Sequence, residues 1–294
     1  LSYGQILQQV EARNTWESCM EKYDYEAQKK RVATFNASNS RYKKGLAIQP
    51  ICFGISFTNT MMNHARALVH IYHDGSVVVS TGAVEMGQGV NTKMLQIVTE
   101  TFGIPNHRVR IESTNTLRVA NTSPTAASAG ADLNGKALQM ACVALSDRLK
   151  AVAQKEYSDA TIDLKEEKVF ANGVPTYISW NDLVMKAFTQ RVALSENSHY
   201  STPTIHYDKT KEKGHPFAYH VYGTAIHEVT VDCLRGTYDF DSVNIVHDFG
   251  KSMNIDIDNG QIEGGLVQGI GWMTLEEIIY NNQGRLVSNA LSTY

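Results

Sequence analysis

The chain has 294 residues, 43% of them hydrophobic and 19% charged, with a net charge of −3. That is the make-up of a folded globular protein of one large or two modest domains, not of a disordered chain. The slight acidity argues against wholesale binding to nucleic acid or an anionic membrane, and no run nears the ~18 apolar residues of a helical membrane span.

In chain order, residues 5–35 are rich in Glu, Gln, Lys and Ala and predict one helix, with the charged stretch 21–31 on its solvent side. Residues 45–57 predict a strand. Residues 68–80 predict a hairpin, because His73-Asp74-Gly75 separates two alternating apolar runs. A helix is expected over 90–102 with Gly103 as its stop, a short strand over 109–111, and a long Ala/Leu-rich helix over 131–154. Asn172-Gly173 marks a turn, and Ser179 followed three residues later by Asp182 marks a helix N-cap. Strands are expected over 219–232 and 238–248 with Arg235-Gly236 between them. A Gly-dotted helix is expected over 259–271 and a strand–turn–strand over 275–287. Frequent hairpins without a regular βαβ period predict an α+β fold of mixed sheets with packed helices. The expected organisation is an N-terminal helical segment over 1–44 and two α+β subdomains over 45–175 and 176–294.

Cys19, Cys52, Cys142 and Cys233 form no CxxC pair, so the chain carries neither a zinc knuckle nor an iron–sulfur cluster. Scattered thiols suit a reducing, cytoplasmic compartment. The ten histidines include no HExxH, and no GxSxG or GxxxxGK[ST] occurs, which argues against a zinc protease, a serine hydrolase and a P-loop enzyme. Three segments share another design, a small-residue turn opening a predicted helix: Gly87-Gln88-Gly89, the run 125–130 (TAASAG), and Gly260-Gln261. Free N–H groups at a helix start attract anions, and small residues let a ligand approach the backbone. The amides of Gln88 and Gln261 both donate and accept, which suits a heterocycle. For each segment taken alone, an ordinary turn remains the simpler reading.

Four motifs in order extend this reading: GAVEMGQGVNTKMLQIVTETFGIP at 82–105, NTSPTAAS at 121–128, ADLNG at 131–135 and IDNGQIEGGLVQGIGWMTLEE at 257–277. Together they resemble the molybdenum hydroxylases, the xanthine dehydrogenase and aldehyde oxidase family. FGISFT at 53–58 and NTSPTAAS draw the resemblance toward the xanthine dehydrogenase branch. It runs from about residue 16 to the end of the sequence.

The resemblance implies the C-terminal part of a molybdopterin-binding region. It implies cofactor contacts at Gln88 with Gly87 and Gly89, at Ser128 and Gly130, and at Gln261, with Ala127 beside the molybdenum through its backbone. Family members often carry Ser where this chain has Gly130, so a hydroxyl contact is lost there. Phe57 and Thr58 are implied to line a purine pocket. The metal is then held by the pterin, which accounts for the missing ligand cluster. The implied reaction is hydroxylation of a purine with water as oxygen source, electrons leaving through iron–sulfur and FAD modules elsewhere. The family's general base is a Glu in a Gly-Glu-Pro segment, and no Gly-Glu dipeptide occurs here, so no catalytic residue is assigned. The expected partners are the missing half of the molybdopterin-binding subunit and the iron–sulfur and flavin parts. The chain by itself is expected to hold no cofactor and to be inactive. An aldehyde or nicotinate-type hydroxylase, or a non-catalytic cofactor-binding scaffold, is the alternative.

Overall fold

A computed structural model describes residues 1–112 and 114–294. Its described residues form six α-helices and twelve strands in interspersed order, an α+β fold as the sequence predicts. The contacts divide the chain into two units. One comprises Leu1–Val84 and Val90–Gly250, the other Glu85–Gly89 and Lys251–Tyr294.

The larger unit opens with α1 (Ala12–Lys22) and α2 (Tyr25–Ser38). One helix was expected over 5–35. Instead the chain breaks at Asp24, which is left-handed (φ 45°) and caps α2 by accepting from the Ala27 N–H at 3.1 Å. An Asp that caps one helix cannot continue another through itself. Both helices pack on an antiparallel sheet of β1 (Tyr42–Ile55), β11 (Tyr219–Asp232) and β12 (Thr237–Asp248), in the order β1-β11-β12. Glu228 of β11 is buried and meets Arg31 of α2 and Lys44 of β1.

The second sheet has the order β4-β3-β2-β8, from β2 (His64–Ile71), β3 (Val77–Thr81), β4 (Val109–Ile111) and β8 (Ser195–Ser201). The β2–β3 hairpin turns where the Asp-Gly signal lies, and β4 joins β3 in parallel. One face of this sheet is Ala67, Val69 and Ile71 with Val77 and Val79. It is covered by α3 (Val90–Phe102) and α4 (Gly130–Gln154), whose apolar stripes complete the main core. A meander of β5 (Ile162–Lys165), β6 (Lys168–Ala171) and β7 (Val174–Ser179) leads into α5 (Trp180–Thr189). Trp180 is buried in the core, donates Nε1–H to the Gly75 carbonyl at 2.7 Å and lies 5.5 Å from the ring of Phe102. The strands β9 (His206–Asp208) and β10 (Lys213–His215) pair separately.

The smaller unit contains α6 (Ile255–Thr274). The predicted strand–turn–strand at 275–287 reduces to a single bridge, Tyr280 with Leu286, around a turn closed by Asn281. Among the described residues no helix is long and apolar enough to cross a membrane.

Candidate functional site

In the larger unit, β1 ends at Ile55, two residues short of the predicted strand end. Ser56 is buried in a left-handed backbone conformation (φ 146°) that turns the chain out of the sheet. Phe57 then takes its backbone partners from a side chain. Asn63, itself buried, accepts from the Phe57 N–H and donates to its carbonyl, both at 2.8 Å. Phe57 is half-buried and Thr58 exposed.

The segment 121–130 holds the second group of expected residues. Ala127 and Ser128 are consecutively left-handed (φ 54° and 53°), and the Ala129 N–H closes the turn on the Ala126 carbonyl at 3.2 Å. For residues with a Cβ this conformation costs about 1–2 kcal/mol each. Behind the turn, Ala129 and Leu133 share one buried cluster with Ile55 and Ala65. The structure therefore brings the strand end before Phe57 and the turn at Ala127-Ser128 onto common ground. The same segment meets the loop after β3. The Val84 N–H donates to Thr125 Oγ1 at 3.0 Å, and any side chain at Gly82 would run into Thr122. Thr122 Oγ1 and Ser123 Oγ are shielded from solvent with no hydrogen-bond partner. Buried hydroxyls rarely stay unpaired, so these two call for a partner from water or from a polar ligand.

In the smaller unit, Gly87 (φ 98°) and Gly89 (φ 73°) shape the loop that runs up to the predicted start of α3. Glu85 Oε1 accepts from the N–H groups of Gly87 at 2.9 Å and Gly89 at 3.0 Å, and Gln88 Oε1 accepts from the Met86 N–H at 2.6 Å. The role of Glu85 escaped sequence reasoning, although an acid two residues before a glycine turn is a signal for it. A Cβ at Gly89 would lie 2.7 Å from Ile257 of α6. Gln261 sits one turn beyond Ile257, on the same helix face, and is exposed.

The third expected helix start is not one. Asn254 caps α6, accepting from the Ile257 N–H at 3.2 Å, and Asp256 and Asp258 fill the first turn. A good cap and acidic residues at the positive end of the helix place its start ahead of the glycines, so Gly260-Gln261 lies inside it.

Among the described residues no three His, Cys, Asp or Glu side chains converge to hold a metal ion directly. Within the larger unit, the left-handed turn at Ala127-Ser128 and the unpaired hydroxyls of Thr122 and Ser123 are compatible with a group that carries anionic oxygens and polar edges and brings its own metal ligands.

Comparison with known proteins identifies the family. The family model described as "Molybdopterin cofactor-binding domain" matches residues 18–294. Xanthine dehydrogenase/oxidase of Mus musculus is 41% identical over 292 residues, covering 99% of this chain and 20% of that protein. Aldehyde oxidase 4 of Rattus norvegicus is 36% identical over 293 residues, covering 100% of this chain and 20% of that protein. The chain thus spans about a fifth of the length of the curated relatives it matches. Quinoline 2-oxidoreductase from Pseudomonas putida 86 superposes with a TM-score of 0.84 at 23% identity, over 99% of this chain and 37% of that one. CO dehydrogenase from Oligotropha carboxidovorans does so with 0.82 at 18% identity, over 98% and 37%; at these identities the likeness is one of fold. From motif order, fold and sequence identity alike, the chain belongs to the molybdopterin cofactor-binding domain family, with xanthine dehydrogenases and aldehyde oxidases as its relatives.

Proposed function

We propose that the chain forms part of the molybdopterin cradle and one wall of the substrate pocket in an enzyme that hydroxylates purines, as a xanthine dehydrogenase does. The observation that carries the reading is the shared cluster of Ile55, Ala129 and Leu133. It holds the turn at Ala127-Ser128 next to the strand end that leads to Phe57 and Thr58. The FGISFT and NTSPTAAS segments support the purine branch.

In this reading Gln88 offers its amide and Gly87 and Gly89 their N–H groups to the cofactor. Ser128 and Gly130 hold its phosphate side, Gln261 adds a second amide, and the Ala127 backbone lies beside the molybdenum. When bound, the group supplies a two-electron oxidation of a ring carbon with oxygen from water. Phe57 gives the purine ring an aromatic face to stack on, and Thr58 borders it. The general base, the opposing pocket wall and the iron–sulfur and flavin parts come from elsewhere in a longer polypeptide or from partner subunits. That remainder also covers α6, whose Val267, Trp272 and Met273 are exposed.

Replacing Phe57 by Ala in the full polypeptide tests the substrate assignment. Loss of the stacking face should lower kcat/KM on xanthine about 10-fold with molybdenum content unchanged, on the order of 1.5 kcal/mol for an aromatic pair. Unchanged kinetics on xanthine would leave Phe57 a loop residue. A preference for an aldehyde over xanthine in the wild type would assign the enzyme to the aldehyde branch.

A further inference from the structure

Tyr219 opens β11 and stands opposite Ile55, the last residue of β1. Its hydroxyl reaches across to a different layer and donates to Asp132 Oδ2 at 2.6 Å, a short, charge-assisted bond between residues 87 apart in sequence. Asp132 lies in the first turn of α4, four residues after Ser128. Lys93 in the first turn of α3 adds a stabilising charge on the other side. One carboxylate therefore ties the start of α4 to the sheet edge at Ile55 and feels the start of α3.

We propose that Tyr219 and Asp132 are positioning residues that fix the spacing between the turn at Ala127-Ser128 and the strand end carrying Phe57-Thr58, and so set how a purine sits against the cofactor. This rests on the functional reading above. The bond runs parallel to the apolar cluster of Ile55, Ala129 and Leu133, which holds the same two segments together but, being non-directional, leaves them free to slide. A hydrogen bond with one geometry removes that freedom. Its net contribution to stability is small, because both side chains are exposed and water competes for the same hydroxyl and carboxylate. What the pair contributes is alignment.

The test uses the full polypeptide with Tyr219→Phe, Asp132→Ala and the double variant. Urate serves as the probe. It is a purine with no ring C–H left to hydroxylate, so binding is read by equilibrium dialysis without turnover. Each single variant should weaken urate binding about 5- to 10-fold, the double no more than either single, with molybdenum content and Tm as in the wild type. Wild-type affinity in both singles overturns the proposal. So does a loss that adds up in the double while Tm falls in step, the mark of two independent structural effects. A wild type that holds no molybdenum or binds no urate overturns the functional reading, and this pair's role with it. A wild type that does both, with unaffected variants, overturns the pair's role alone.

Discussion

At the scale of single residues, the site region is distinguished by strain and by unmet hydrogen bonds. Ala127 and Ser128 hold left-handed conformations that glycine would adopt freely, yet the chain keeps side chains there. Ala127→Gly should therefore stabilise the fold, by about 0.5–1 kcal/mol in urea unfolding, because relieved strain outweighs the added freedom of the unfolded chain. A loss of stability instead would mean the turn is unstrained. Asp232 illustrates an acid with the opposite setting to Asp132. Arg41 grips it through Nε at 3.1 Å and Nη2 at 2.6 Å, and the Leu234 and Arg235 N–H groups add to this, pushing its carboxyl down to about 2 from 3.8. A lowered folded value stabilises above the unfolded one, and that stability drains away as pH falls from about 4 to about 2. Asp232→Asn should flatten the acid limb of a pH–stability curve in that window, and an unchanged limb would show the ion pair to be inert. The motifs single out Ala127, Ser128 and Gln88 as candidates in the sequence. The sequence could not disclose Asn63 or Tyr219, whose roles arise from partners brought close only by folding.

At the scale of elements, legibility followed local chemistry. The helix α3 spans the predicted residues, since its periodicity and the glycine after it are both local signals. The same holds for α5, where Ser179 and Asp182 form the predicted reciprocal cap, each backbone N–H bonding the other side chain at 3.2 Å. Ser179→Ala should cost about 1 kcal/mol in chemical unfolding, and no cost would show the cap to be redundant with the anchoring of Trp180. The strand β8, SENSHYS, was invisible because only Tyr200 and scattered polar residues mark it. Its extended form comes from pairing with β2, more than 120 residues distant by the register of His70 with Ser195. The helix α6 was expected too short because its glycines outweighed the capping signal of Asn254. Gly89 shows an element boundary set by packing: Gly89→Val would bring a branched side chain onto Ile257 at a positive φ. It should lower Tm and molybdenum retention together, and a variant that retains both would remove Gly89 from the site.

At the scale of the whole molecule, the larger unit has a closed core, whereas α6 exposes Val267, Trp272 and Met273, each more than half accessible. An apolar helix of this kind is stable when something covers it. With a chain that spans a fifth of its relatives, the rest of a longer polypeptide is the proposed cover. Prepared alone and dilute enough to stay monomeric, the 294 residues should then show Trp272 fluorescence characteristic of water. Trp272 should shift to an apolar environment in the full polypeptide, and identical spectra would contradict the proposal. We propose that the loop and turn residues Gln88, Ala127 and Ser128 help hold a molybdopterin cofactor. Molybdenum content per polypeptide in the full protein, wild type against Gln88→Ala, decides this. The wild type should carry stoichiometric metal, and a folded Gln88→Ala variant should retain it roughly 10-fold more weakly, as when a polar contact worth about 1–3 kcal/mol is left unmade. A wild type without molybdenum, or a variant that keeps the metal as firmly as the wild type, would contradict this proposal.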